Sequence, residues 1–181
     1  MATVFSHPAI PVGIALALGR KAIPQPLLVA GMISTVIADI DCLGFAFGVP
    51  YESQWGHRGF THSIAFALAI AIYWTWKHKS LEAKRWVAFA FTFVSAMSHP
   101  LIDALTDGGL GIAFFWPFSG ERYFFPVTPI PVSPIGGGFF SAEGLRVFLS
   151  ELTQLWLPAL SLGGAGWALR RTISAKKAAT K

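Results

Sequence analysis

Runs of apolar residues as long as a bilayer is thick constrain this chain more than any motif it carries. A bilayer core takes about 20 mostly apolar residues of helix. Residues 27–49, 60–76, 86–105 and 145–169 meet or approach that length, while 8–19 is too short to span unaided. In hydrocarbon every backbone N–H and C=O must be satisfied internally, which restricts such spans to helices. Composition agrees, because the 181 residues are 54% hydrophobic and 13% charged, where soluble domains carry about 25% charged residues. The expected fold is therefore all-α. It is a polytopic helical membrane bundle of four to five segments, with residues 1–181 forming a single integral membrane domain.

The net charge of +5 is not a nucleic-acid footprint, because the basic residues sit in short clusters between apolar runs. Those clusters are Arg20-Lys21, residues 77–85 and the tail 170–181. With all three in the cytoplasm, the helices alternate from an outside N-terminus and every short loop satisfies the positive-inside rule. The C-terminus is then cytoplasmic. Residues 50–59 and the long segment 106–144 face outward, the latter rich in aromatics, Pro and Gly and read as irregular chain at the interface. No Lys or Arg precedes the first apolar run, so it is read as retained and not as a cleaved secretory signal. The single cysteine, Cys42, excludes an intramolecular disulfide and a cysteine zinc cluster.

Ionisable groups at membrane depth cost several kcal/mol unless paired, hydrated or bound to something. On this topology four of the five histidines and all four aspartates fall at the outer face: His7, Asp39, Asp41, His57, His62, His99, Asp103 and Asp107. That convergence predicts one site. In "HPLIDALTD", His99, Asp103 and Asp107 are spaced i, i+4, i+8 along one helical stripe, with Pro100 weakening the helix and Gly108-Gly109 ending it. Imidazole and carboxylate together suit zinc, manganese or iron. The plainer reading is a polar cluster that only bonds neighbouring helices.

In "WGHRGFTHS", Thr61 or Ser63 caps a helix, and His57 and His62 share a metal only if the chain bends, which Gly59 permits. Arg58 is placed to meet an anion near that helix start. Interfacial anchoring explains the same residues without a ligand. In "ADID", Asp39 and Asp41 lie on nearly opposite faces of a regular helix. Either Asp39 ligates and Asp41 orients a histidine, or the reverse, or each bonds only a neighbour's backbone. Ser6 or His7 caps a helix with Pro8 in its first turn, a structural role open to His7 beside a ligand's role. His78, among lysines, reads as solvated. Glu121 and Arg122 either close over the site or pair with each other.

These residues also carry a resemblance. An N-terminal histidine, a D-x-D on an apolar helix, "HRGFTHS", "HPLIDALTD" and a later "WPF" resemble a bacterial family of inner-membrane, metal-dependent hydrolases. Some of its members are DNA-damage-inducible, LexA-regulated membrane proteins. The resemblance runs from His7 to about Pro134, and it implies a metal site at His7, Asp39, Asp41, His57, His62, His99, Asp103 and Asp107.

The expected function is a hydrolase of the bacterial inner membrane with a divalent transition metal, zinc before manganese or iron, and membrane lipid as its surroundings. Asp41 or Asp103 takes the proton of a metal-activated water, and Arg58 holds an anionic group. The substrate is a lipid or an envelope-derived molecule, with phosphoester chemistry ahead of amide. Two other readings use the same residues: a divalent-cation or proton carrier, and a non-catalytic membrane protein whose bundle the metal stabilises. The inner half of each apolar run carries no ionisable residue, which favours the enzyme over the carrier.

Overall fold

The structure, a computed structural model, describes residues 1–134 and 136–180. All regular structure among them is helical, with two isolated β-bridges and no strand. Helix α1 is Ala9–Leu18 and α2 is Gln25–Val36, the latter started by Pro24 at its N-cap and Pro26 in its first turn, where a missing N–H costs nothing. A 3-10 helix, Ile37–Phe47, continues α2 and stops at Gly48 in the left-handed region. Helices α3, Ile64–Trp76, and α4, Arg85–Asp103, follow. Near the C-terminus α5, Ala142–Glu151, a π-helical turn, Leu152–Trp156, and α6, Leu157–Ala179, run on from one another.

Of the expected spans, only Gln25–Phe47 has by itself both the length and the apolarity to cross a membrane; α1 and α3 are shorter apolar helices. Helix α4 has the length, but its inward face carries Thr92, Ser95, His99 and Asp103, all buried. The run 145–169 is not one helix start: α5 begins earlier, capped by Ser141, and the π turn interrupts it.

Helix α4 packs between α2 and α3, and α1 packs along α6. The α1–α6 contact is made of small residues. A Cβ on Gly13 would lie 2.7 Å from the Ala159 carbonyl oxygen, and one on Gly163 2.7 Å from that of Gly13. Small residues let helix backbones approach this closely without side-chain bulk, as membrane helices commonly do. Burial is inverted relative to a water-soluble domain. Large apolar side chains such as Trp76, Trp86 and Leu162 are more than 70% exposed. Four histidines, Asp41, Asp103, Arg58 and Glu151 are inside.

The two ends of the bundle differ. At one end Ile23, just after Arg20-Lys21, and Leu81, within the second basic cluster, belong to one apolar core, and Arg170 bonds the Leu16 carbonyl. All three basic clusters therefore meet there. The segment after α4 folds over the opposite end. Its backbone is tied down by Ile130 N–H to Leu105 O and Phe125 N–H to Ala104 O, and Ile112, Ala113 and Ile130 are buried. The segment expected as irregular chain at the interface packs as a cap over this end. Its "WPF" turn, with a cis Trp116–Pro117 peptide, stacks Trp116 against Trp55 and Phe60 at the start of α3.

Candidate metal centre

Each ligand-bearing side chain is delivered by a chain feature near the capped end. His7 precedes α1, which begins at Pro8 with no side-chain cap; the Ser6 hydroxyl donates instead to Glu151 at 2.6 Å. Asp39 and Asp41 come from the 3-10 helix. At 3.6 residues per turn two positions two apart differ by about 160° around the axis, but at 3.0 per turn by about 120°. The tighter winding brings both carboxylates to the same cluster. His57 and His62 flank a bend in which Arg58, not Gly59, adopts positive φ, at 65°. Gly59 contributes room: a Cβ there would stand 2.2 Å from the Gln54 carbonyl. Ser63 caps α3 by accepting from Phe66 N–H, while Thr61 donates to Asp41. His99 and Asp103 occupy the last turn of α4.

The side chains converge. His99 Nε2 lies 3.1 Å from His62 Nε2 and 3.2 Å from Asp39 Oδ1, and the His7 ring stacks on His99 at 3.7 Å between centroids. Asp103 Oδ2 is 3.6 Å from His62 Nε2 and 3.7 Å from His99 Nε2, while its Oδ1 accepts the Ala2 N–H. Ligand atoms fall within 4.8 Å of one another in three overlapping sets: Asp39, Asp41, Cys42 and His57; Asp39, His57, His62 and Asp103; His7, His99 and Asp103.

Hydrogen bonds fix how these groups point. Asp41 accepts from His57 Nδ1 at 2.8 Å and from His62 Nδ1 at 3.2 Å, and the Thr35 carbonyl accepts from His99 Nδ1 at 2.6 Å. With Nδ1 donating, His62 and His99 each turn a lone pair at Nε2 toward the cluster, the arrangement in which an outer carboxylate or carbonyl orients a metal-binding imidazole. Of the alternatives for "ADID", the geometry therefore makes Asp41 the orienting carboxylate and leaves Asp39 inward with both oxygens unpartnered. Burial lowers the pKa of His57 against the opposing pull of Asp41.

The donor set fits a divalent transition metal. Buried polar atoms normally find hydrogen-bond partners, yet His7 Nδ1 and Nε2, Asp39 Oδ1 and Oδ2, His57 Nε2 and Asp103 Oδ2 have none. Three carboxylates, Asp39, Asp41 and Asp103, against one guanidinium, Arg58, leave the cluster's side chains two negative charges when the imidazoles are neutral. A doubly charged cation offsets that.

Two expectations need correction. The helix stops at Asp103, so Asp107 is off the stripe; it is exposed and accepts the Val132 N–H at 2.7 Å. Arg58 does not wait in an open loop for an anion. It is fully buried, donating to the carbonyls of Gly108 and Leu110 and to the Thr106 hydroxyl, with only Nε unbonded, 3.7 Å from Asp103. Glu121 and Arg122 do not pair. Arg122 donates to the carbonyls of His57 and Ser53, tying the cap to the 51–57 loop, and Glu121 accepts from Tyr123. His78 is half-buried and accepts from Arg85, remote from the cluster.

The structure brings in three residues to which no role was assigned from sequence. Cys42 Sγ lies 3.5 Å from His57 Nδ1. Thr35 supplies its carbonyl. Glu151, fully buried, accepts from the Thr3 N–H and from the hydroxyls of Thr3 and Ser6, pinning the segment before His7. A lone acidic residue in an otherwise apolar run was the available signal for Glu151.

Asp39 is also the way in. Its side chain is 11% exposed, and it lines a cleft of about 260 Å3 with Thr3, Val4, Phe5, Cys42 and Phe139.

Comparison with known proteins gives two matches. Residues 1–173 match the family described as YdjM inner membrane protein. The chain is 40% identical over 178 residues to "Inner membrane protein YbcI" of Escherichia coli (strain K12), covering 94% of this chain and 100% of that protein. No solved structure matches.

Proposed function

Because this chain belongs to the YdjM inner membrane protein family, and so works at a bacterial inner membrane, we propose that it is a membrane-embedded, metal-dependent hydrolase. It cleaves a phosphoester of a lipid or envelope-derived substrate at the outer face, from within a multi-span bundle. The observation that carries this is the convergence of unpartnered, buried ligand atoms beside a cleft.

A bound zinc, manganese or iron ion would supply Lewis acidity and an activated water near neutral pH. His7, Asp39, His57, His62 and His99 would hold it, with Asp41 orienting His57 and His62 and the Thr35 carbonyl orienting His99. Asp103 Oδ2, unbonded and facing inward, is left as the base and accepts the proton of the attacking water. The water oxygen bonds to phosphorus, the ester P–O bond breaks, and Asp103 returns that proton to the departing alkoxide, which leaves as the alcohol. Arg58 is a positioning residue here, fixing Asp103 from behind and the turn at residues 106–110.

Among the described residues no ionisable side chain is buried between the cluster and the basic end, so a carrier's pathway has no stepping stones. The cleft at Asp39 also favours a working site over a closed structural one. Metal analysis of the purified full chain tests the reading. His62→Ala and His99→Ala should each lose most bound metal, whereas His78→Ala and Asp107→Ala should keep it. A screen of phosphoesters on the metal-loaded protein then reads turnover. Full metal retention in both cluster variants, or no hydrolysis by any loaded preparation, would overturn the proposal.

A further inference from the structure

A larger groove adjoins the cleft at Asp39. Phe5 and Phe139, which form the apolar side of the cleft, also wall this groove of about 770 Å3. Beyond them the groove is lined by Phe140, Leu145, Phe148, Leu152 and Trp156. The junction is aromatic, with Phe5 and Phe139 ring centroids 5.8 Å apart and Phe5 edge-on to Phe148 at 6.5 Å. No lining side chain is ionisable. The single hydroxyl, on Ser141, is already engaged, donating to the Gly138 carbonyl and accepting from Gly144 N–H. The groove opens on the outer surface of the bundle, where Phe140 is 89% and Leu145 58% exposed.

Apart from the indole N–H of Trp156, a polar ligand would find no free side-chain partner in the groove, and a hydrocarbon chain needs none. One end adjoins, across Phe5 and Phe139, the cleft that Asp39 lines, and the other opens onto a surface that is itself apolar. For a protein of the inner membrane, the chemistry that meets both ends is an amphiphile with a long tail and an anionic head.

We propose that this groove seats an acyl chain of a membrane phospholipid, with the phosphoester of that same lipid at the Asp39 opening. The inference rests on the hydrolase reading for the role of the head group and on the groove alone for the tail. It makes Phe5 and Phe139 specificity-determining residues, set between tail and head.

The test uses the full chain in vesicles of phosphatidylethanolamine and phosphatidylglycerol, doped with phosphatidylglycerol carrying a photoactivatable diazirine on one acyl chain. Placed near the glycerol, the diazirine should label Phe5, Cys42 or Phe139. Placed at the chain end, it should label Phe148, Leu152 or Trp156. Leu152→Trp, which fills the groove, should cut chain-end labelling at least tenfold with metal content unchanged. Leu162→Trp, on an exposed face of α6 outside the groove, should leave it intact. Labelling spread evenly over exposed residues such as Ile72, Trp86 and Leu162 would overturn the groove, as would an unaffected Leu152→Trp. Graded labelling in a protein that binds no metal would support the groove and overturn the hydrolase reading, so the two failures are distinct.

Discussion

Asp41 is the residue on which the candidate centre turns, because one carboxylate orients two imidazoles and takes the Thr61 hydroxyl as well. Asp41→Asn keeps the volume but leaves one accepting oxygen for donors that need two. We expect metal affinity to fall about 10–100-fold, read by competition against a chelator of known affinity, with the fold intact; unchanged affinity would demote Asp41 to a packing role. Arg58 makes a different prediction. Its removal leaves Asp103 without its guanidinium partner and two loop carbonyls without their donor, so Arg58→Ala should cost about 3–5 kcal/mol in denaturant unfolding. Arg58→Lys should recover only part, because an ammonium cannot span the three acceptors. The residue types of the site were legible from the sequence, since buried ionisable groups in apolar runs demand a reason. The division of labour was not. Spacing rules presume α-helical winding, and the 3-10 turn changes which faces Asp39 and Asp41 share. Glu151 stood out as a lone acidic residue in an apolar run, but its role was illegible because its partner Thr3 lies 148 positions away.

At the scale of elements, the apolar runs located the helices, but their ends depended on contacts the sequence does not display. Helix α4 stops at Asp103 because the following chain turns back to bond Ala104 and Leu105 through Phe125 and Ile130, four or more turns of sequence later. The same long-range bonds turn an expected interfacial loop into a cap. The π turn at Leu152–Trp156 follows directly on Glu151, which holds the segment before His7. Wide turns of this kind recur where a helix must present a side chain out of register. The α1–α6 contact then carries His7 into position from the other side. A bulky residue at Gly163 would meet the Gly13 carbonyl, whereas Gly164, the next residue, faces open space. Gly163→Leu should therefore destabilise the protein by about 1–3 kcal/mol through overpacking. Gly164→Leu should stay within about 0.5 kcal/mol of wild type. Thermal unfolding in one detergent compares the pair directly, and equal effects would mean that α1 and α6 do not pack through this face.

Across the whole molecule, chemistry and charge are segregated. Every buried ionisable side chain among the described residues lies toward the capped end, and the three basic clusters meet at the other. Basic loops resist translocation, so the basic end should face the cytoplasm and the candidate centre the outside. The orientation decides what the centre can act on, because ions and lipid head groups differ across the membrane. It is measurable with single cysteines in a Cys42→Ser background, using a membrane-impermeant thiol reagent on intact spheroplasts. Glu52→Cys, beside the turn that carries His57, and Glu121→Cys, in the cap, are both exposed and should label from outside. Lys79→Cys, exposed in the loop between α3 and α4, should label only after the membrane is opened. The pH response offers a check on the same preparation. Metal ligands bind deprotonated, so protons compete with the ion and release should grow as the pH falls through the imidazole range. If the centre faces outward, acidifying the external medium alone should strip metal while the cytoplasm stays neutral. Labelling at position 79 but not at 52 or 121 would place the centre inside, and a cytoplasmic phosphoester would then replace the envelope substrate.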